Sequence, residues 1–215
     1  MDYSYNRIAG QSKERLAAIS DGIFGVAMTL LLLEIQIPDA AKINGSEWSL
    51  LRAIEAMTPD CLVYLMSFIT LGIFWVGQQT QLNYLERSDR NLTWLHLAFL
   101  FPVTILPFAT RLLTTFTGLR VALLLYWFNI LVLGALLYAC WGYTVKAKLI
   151  PGETPEEVKS GVCHRIVIAQ VFYATGAALC VFSTYLSIAF IVLVQLNYVI
   201  DPRQWLARKP APSID

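Results

Sequence analysis

Charge is scarce in this sequence. Only 14% of its 215 residues are Asp, Glu, Lys or Arg, against about 25% in a soluble globular domain. Hydrophobic residues make up 57%, and the mean hydropathy is +0.57. A soluble chain this apolar would expose greasy patches of a size that monomers rarely carry, so the solvent for much of the chain is lipid. The net charge of +1 supplies no global field for a polyanion. No Lys/Arg run interleaved with aromatics appears, which excludes a nucleic-acid partner. The four cysteines, Cys61, Cys140, Cys163 and Cys180, form no C-x-x-C pair. That excludes a zinc or disulfide framework and leaves them as small hydrophobes. No cofactor and no resident metal are expected. The polar residues from Met1 to Arg15 precede an apolar run longer than a signal peptide, with no small-x-small cleavage site, so that run is expected to stay as a helix.

What is present is a series of long apolar runs. A helix needs about 20 apolar residues to cross a bilayer. The runs predict helices at about residues 16–37, 59–81, 91–115 and 119–145, the first ended by Pro38. The last apolar stretch, Ile166 to Ile200, is too long for one span. Ser183, Thr184 and Ser187 mark a break, giving helices at about 164–182 and 185–200. The expectation is an all-α integral membrane protein, one domain over residues 1–215, with six transmembrane helices.

Positive charge sets the orientation. With the N-terminus inside, the inner segments hold Arg7, Lys13, Arg15, Arg87, Arg90, Lys146, Lys148, Lys159, Arg165, Arg203, Arg208 and Lys209. The outer segments hold only Lys42, Arg52, Arg111 and Arg120. Twelve against four of the 16 basic residues predicts both termini in the cytoplasm. A five-helix arrangement would put the basic tail outside.

The connections carry their own signals. Ser46 to Arg52 has the pattern of a capped amphipathic turn on the outer face. Thr154, Pro155 and Glu157 fit the cap, first position and box of a helix start. Trp75, Trp94, Trp127 and Trp141 fall toward helix ends, as interfacial belts do. Arg111 and Arg120 are expected to snorkel, and Pro102 and Pro107 to bend the third helix.

The most informative stretch runs from Arg15 to Glu34. Ionisable groups inside a membrane helix are costly and usually find partners or line water. Ser20 and Asp21 can be ordinary N-terminal caps, or part of a polar network. Ile23, Val26, Leu30 and Leu33 recur at three or four residues and share one face, with Thr29 at its border. Such a stripe serves packing in one protein and an apolar constriction in another. Glu34, near the outer end, is expected to bond Trp48 or to stand as an interfacial charge. His96 and His164, the only histidines, are each expected to be packed or interfacial residues.

This stretch resembles the Arg-x-x-x-Phe-Ser-Asp signature of the transmembrane protein 175 family of potassium channels. Arg15, Ser20 and Asp21 match, and Ile19 replaces the usual Phe. The likeness continues through Gly22 to Pro38, with its Thr-Leu-Leu-x-Leu-Glu-Ile pattern, and extends to Phe74-Trp75 and to Leu97–Thr110, where Leu-Pro-Phe-Ala-Thr is similar to the family's third helix. Gln78 and Gln79 stand where many members carry two histidines, so any histidine-dependent pH sensitivity of relatives need not carry over. The resemblance implies a homotetramer in the bacterial plasma membrane that conducts K+ through a pore lined by the first helix, with no carbonyl filter. The constriction would come from Ile23, Val26 and Leu30, with Thr29 and Leu33 alongside. Arg15, Ser20 and Asp21 would form a structural network with Trp75, Gln78 or His96. The partners implied are K+ ions, the lipid bilayer and further copies of the chain.

Two other classes lack their signatures in this sequence. A membrane-embedded enzyme needs convergent acid–base or metal groups, yet no H-E-x-x-H, paired intramembrane aspartates or Gly-x-Ser-x-Gly occurs. Asp21 and Glu34 lie about 20 Å apart by helix rise, too far to act on one bond. A secondary transporter would show inverted repeats with broken helices, and no such pair is visible.

Overall fold

The computed structural model describes residues 12–39, 43 and 46–200. All its regular structure there is helical. In chain order the helices are α1 (Lys13–Leu33), α2 (Glu47–Ala56), α3 (Thr58–Tyr84), α4 (Arg90–Thr115), α5 (Arg120–Lys146), α6 (Glu156–Ala178) and α7 (Thr184–Ile200), with a single 3-10 turn at Leu179–Val181 between the last two. Among the described residues, five helices are long and apolar enough to cross a membrane: α1, α3, α4, α5 and α6, the last counted with its 3-10 extension. The sixth apolar helix, α7, has 17 residues and spans about 26 Å at 1.5 Å per residue.

The helix ends show which local signals acted. α1 is capped by Ser12, whose hydroxyl accepts from the Arg15 N–H. Its C-cap is Glu34, so it stops short of the expected Ile37. The Glu34 carboxylate turns to Arg111 of α4 at 3.1 Å, and Pro38 disfavours helical geometry in the residue before it. Arg111 is therefore paired rather than merely snorkelling, and Trp48 stands exposed away from Glu34. Arg120 donates to the Val181 carbonyl at 2.9 Å.

Two expected caps are corrected. Ser46 is the N-cap of α2 without a side-chain bond; its carbonyl instead takes the Ser49 hydroxyl and N–H. Thr154 lies outside α6, because its hydroxyl donates to Pro151 O at 2.8 Å. Pro155 sits at the cap rather than the first position. α6 starts at Glu156, earlier than the expected 164, with Glu156 and Glu157 in its first turn, where acidic groups suit the helix dipole. Trp141 is also corrected. It is fully buried, its Nε1–H donates to the Lys159 carbonyl at 2.9 Å, and its ring meets Tyr84 edge-on.

α3 occupies the middle of the bundle, touching α1, α4, α5 and α7, while α1 packs on α3 and α4. Phe24 of α1 meets Phe99 of α4 with ring centroids 6.2 Å apart. α4 carries Pro102 and Pro107 without interruption, and Asn129 of α5 donates to the Pro102 carbonyl at 3.2 Å. One end of the bundle is tied by Lys13 to Leu85 O at 2.9 Å, Tyr143 to Asp89 at 2.7 Å, and Glu86 N to Leu149 O at 3.0 Å. Arg111 and Arg120 make their bonds at the other end.

Two backbone positions constrain the packing. Lys148 has φ 54°. Its N–H bonds Val145 O and the Leu149 N–H bonds Thr144 O, the Schellman pattern that usually places Gly there. Gly176 lies where an added Cβ would come 2.6 Å from Cγ1 of Ile191, so α6 and α7 approach there at a distance only glycine allows. Substitutions at the two sites should move stability in opposite directions. Lys148→Gly should raise the unfolding midpoint of the detergent-solubilised protein, by up to about 1 kcal/mol for relief of a left-handed residue. Gly176→Ala should lower it by about 1–3 kcal/mol, the usual cost of overpacking. Tryptophan fluorescence during thermal unfolding measures both.

Candidate functional site: the first helix and its polar anchor

α1 divides into faces of different character. Leu16, Ser20, Phe24, Ala27 and Leu31 are buried, at intervals of three or four residues that put them on one side. The opposite flank carries Val26 (58% exposed), Leu30 (42%) and Leu33 (73%), with Ile23 half-buried. Val26, Leu30 and Leu33 are thus left unpacked by their own chain, while Ile23 packs partly against its core. Thr29 is exposed, and its hydroxyl folds back on the Val26 carbonyl at 2.8 Å. Ile19, Gly22, Ile23, Val26 and Leu30 line an open groove of about 390 Å³ with Thr104 of α4. On the other flank, Asp21, Gly25 and Met28 line one of about 550 Å³ against α3.

The buried face is fixed by hydrogen bonds. Ser20 Oγ lies 2.8 Å from Leu16 O, 2.7 Å from His96 Nε2 and 2.8 Å from Gln78 Nε2. Gln78 Nε2 is itself 2.8 Å from His96 Nε2. All three side chains are almost fully inaccessible. The single Ser20 hydroxyl proton serves either Leu16 O or His96 Nε2, and an imidazole bare at Nε2 accepts from the Gln78 amide in both arrangements. A second cluster lies beside it. Asp21 Oδ1 accepts from Trp75 Nε1 at 2.8 Å and from Gln79 Nε2 at 2.7 Å.

The geometry has a simple origin. Ser20 and Asp21 are consecutive on α1, and Gln78 and Gln79 are consecutive on α3. Where the two helices cross, the inner members pair with each other and the outer members pair with each other. Trp75 and Gln79 stand four apart and share a face, so both reach one carboxylate. The cap reading of Ser20 and Asp21 does not survive, since the helix begins at Lys13, a full two turns earlier. Arg15 is exposed, and no hydrogen bond or ion pair engages its guanidinium among the described residues. Among the described residues no three His, Cys, Asp or Glu side chains gather to hold a metal ion.

Sequence reasoning missed Gln79 as a member of this arrangement. It also missed a second buried polar cluster on α3. Thr110 donates to Ser67 at 2.8 Å, Ser67 lies 3.2 Å and Thr70 3.3 Å from the Tyr126 hydroxyl, and Gln195 donates to Thr70 at 2.6 Å and Tyr173 at 3.4 Å. The signal was present, because Ser67, Thr70, Phe74, Gln78 and Gln81 recur at helical spacing along α3, and all are buried.

Comparison with known proteins addresses what such an arrangement belongs to. Residues 15–107 match the family model described as endosomal/lysosomal potassium channel TMEM175. A protein from Chryseobacterium sp. (strain P1-3), named a potassium channel, is 28% identical over 198 residues, covering 90% of this chain and 95% of that protein. Over residues 15–107 the chain is similar to the TMEM175 family. The structure of a TMEM175 homologue from Chamaesiphon minutus, titled a lysosomal potassium-selective channel homologue, superposes with a TM-score of 0.76 at 23% identity, covering 88% of this chain and 97% of that one. It therefore shares this membrane fold. The chicken protein named endosomal/lysosomal proton channel TMEM175 is 33% identical over 109 residues, covering 49% of this chain and 22% of its own. TMEM175 relatives are thus named as ion channels and not as enzymes, in keeping with the sequence expectation, and this chain is a multi-pass membrane protein.

The anchor makes a differential prediction for stability. Ser20→Ala leaves a buried amide donor short of a partner, which costs about 1–3 kcal/mol. Asp21→Asn keeps a carbonyl acceptor at an exposed position and should cost less. Thermal unfolding of the two variants in the same detergent should rank them in that order.

Proposed function

We propose that this chain is a potassium-permeable channel whose narrowest part is apolar. Copies assemble as a homotetramer, bring α1 to a common axis, and let Ile23, Val26 and Leu30 narrow the passage, with Thr29 and Leu33 alongside. All six apolar helices, α7 included, cross the membrane within one domain. The bundle end that carries Lys13, Arg87 and Lys146 faces the cytoplasm, as the positive-inside rule requires.

The observation that carries this proposal is the division of α1. Its polar and aromatic face is spent on its own subunit through Ser20, Phe24 and Leu31, while the Val26–Leu30–Leu33 stripe is left uncovered. An open groove on each flank leaves room for neighbouring copies. The names of the bacterial relatives supply the ion. No Thr-Val-Gly-Tyr-Gly segment occurs in the sequence, so discrimination in this pore rests on dehydration and width rather than on a carbonyl cage. Proton permeation is a second property to measure, because the vertebrate relatives are named proton channels.

Purified protein in planar bilayers under opposed potassium and sodium gradients should give a reversal potential displaced toward the potassium equilibrium value. Ile23→Asn and Leu30→Asn should raise conductance severalfold and pull the reversal potential toward zero, because a polar ring lowers the dewetting barrier. Monodisperse protein that passes no cation would overturn the proposal, as would Asn variants that conduct like the parent.

A further inference from the structure

The helices α3, α6 and α7 leave a cleft with a cation at its mouth. Arg165 of α6 is exposed. Its Nη2 donates to the Tyr198 hydroxyl at 3.2 Å, and its guanidinium carbon lies 5.4 Å from the centroid of that ring. The group is thus held in orientation by one hydrogen bond and one cation–π contact. Neither ion pair found among the described residues involves it. Among the described residues the Tyr198 hydroxyl is the one group that takes any of its five N–H donors.

Beneath it runs a groove of about 400 Å³, walled by Ile168, Phe172, Phe190, Leu193 and Val194. Ile168, Phe172 and Leu193 are 41%, 45% and 66% exposed, so the groove opens sideways, toward the membrane. A smaller hollow of about 120 Å³ continues inward from Arg165 past Ala169.

We propose that this cleft binds an anionic phospholipid, with its phosphate on the Arg165 guanidinium and one acyl chain along the α6–α7 groove. The guanidinium fork matches a phosphate in a bidentate way that an ammonium does not. Tyr198 beside it has the amphipathic character of a residue at headgroup level. The apolar walls argue for a lipid over a free anion, since a phosphate ion alone would leave the groove unfilled. The site requires only that α6 and α7 lie in a bilayer. It does not depend on α1 lining a pore, so absence of ion flux would leave it standing.

Native mass spectrometry of the full-length protein in detergent tests it. The protein is titrated with phosphatidylglycerol, with phosphatidylcholine of the same chains, and with glycerol phosphate. Phosphatidylglycerol should bind about tenfold more tightly than phosphatidylcholine, the equivalent of about 1.4 kcal/mol. Arg165→Gln should erase that difference. Leu193→Trp, at an exposed wall position, should weaken both lipids while keeping the preference. Glycerol phosphate should not displace the bound lipid. Equal binding of phosphatidylglycerol by the parent and R165Q would overturn the proposal, as would displacement by glycerol phosphate, or a Leu193→Trp variant that binds both lipids like the parent. If R165Q does not fold, the parent's lipid preference together with the Leu193→Trp result decides the matter.

Discussion

A serine hydroxyl inside a membrane helix must find a partner, because lipid offers none. Ser20 meets that requirement on Gln78 and His96, and in doing so it fixes the rotation of α1 about its axis. A helix turns about 100° per residue. Once Ser20 faces inward, Phe24, Ala27 and Leu31 follow it into the subunit, and Val26, Leu30 and Leu33 cannot. The side of α1 offered to the outside is therefore decided by one buried triangle. The Asp21–Trp75–Gln79 cluster next to it resists rotation in one sense. The Phe24–Phe99 contact one turn along holds the other.

The rest of the subunit gives that triangle something rigid to hold. α3 presents its buried polar stripe to every neighbour in turn: Ser67 and Thr70 toward Tyr126 of α5, Ser67 toward Thr110 of α4, and Thr70 toward Gln195 of α7. Hydrogen bonds between membrane helices are modest singly, on the order of 0.6 kcal/mol. Their value here is directional. Apolar side chains alone would let these helices slide or rotate past one another in lipid, whereas a bonded chain from α4 through α3 to α7 permits one register. Gln78 belongs to the same stripe, so the element that orients α1 is the one best fixed in the bundle.

How far this was legible in the sequence varies by feature. The apolar runs located the helices because a bilayer imposes a length that hydropathy reads directly, and the break near Ser183 was marked by polar residues in an otherwise apolar stretch. Helix ends were less legible. α1 stops at Leu33 because Glu34 meets Arg111 of a distant helix, a tertiary contact that no local pattern announces. Thr154 has every local mark of a cap, yet its hydroxyl is taken by Pro151 O. At the site, Arg15, Ser20, Asp21, Trp75, Gln78 and His96 were all singled out as candidates. The structure bonds Ser20, Gln78 and His96 together, joins Asp21 to Trp75, and leaves Arg15 unengaged. Gln79 reads in the sequence as a replacement for histidine, and its bond to Asp21 follows only from the four-residue spacing that puts it on the face of Trp75. Trp141 looked interfacial because position along a helix says nothing of which way the ring turns.

The replacement of histidines by Gln78 and Gln79 has a physical consequence for the proposed pore. A glutamine amide gives the Ser20 and Asp21 clusters their donors without carrying a titratable proton. The donors that α3 supplies to α1 therefore carry no titratable proton, and His96 is the one titratable ring in the buried triangle. Thr29 adds a second constraint, because its hydroxyl is committed to Val26 O and offers the stripe no free donor. An ion passing the Ile23–Leu30 level would meet apolar side chains with the Thr29 hydroxyl oxygen alongside, and its cost of passage there would be set by how much of its water it must leave behind. In the proposed pore the diameter at that level would follow the rotation of α1, so the buried triangle, which touches no ion, would control conductance.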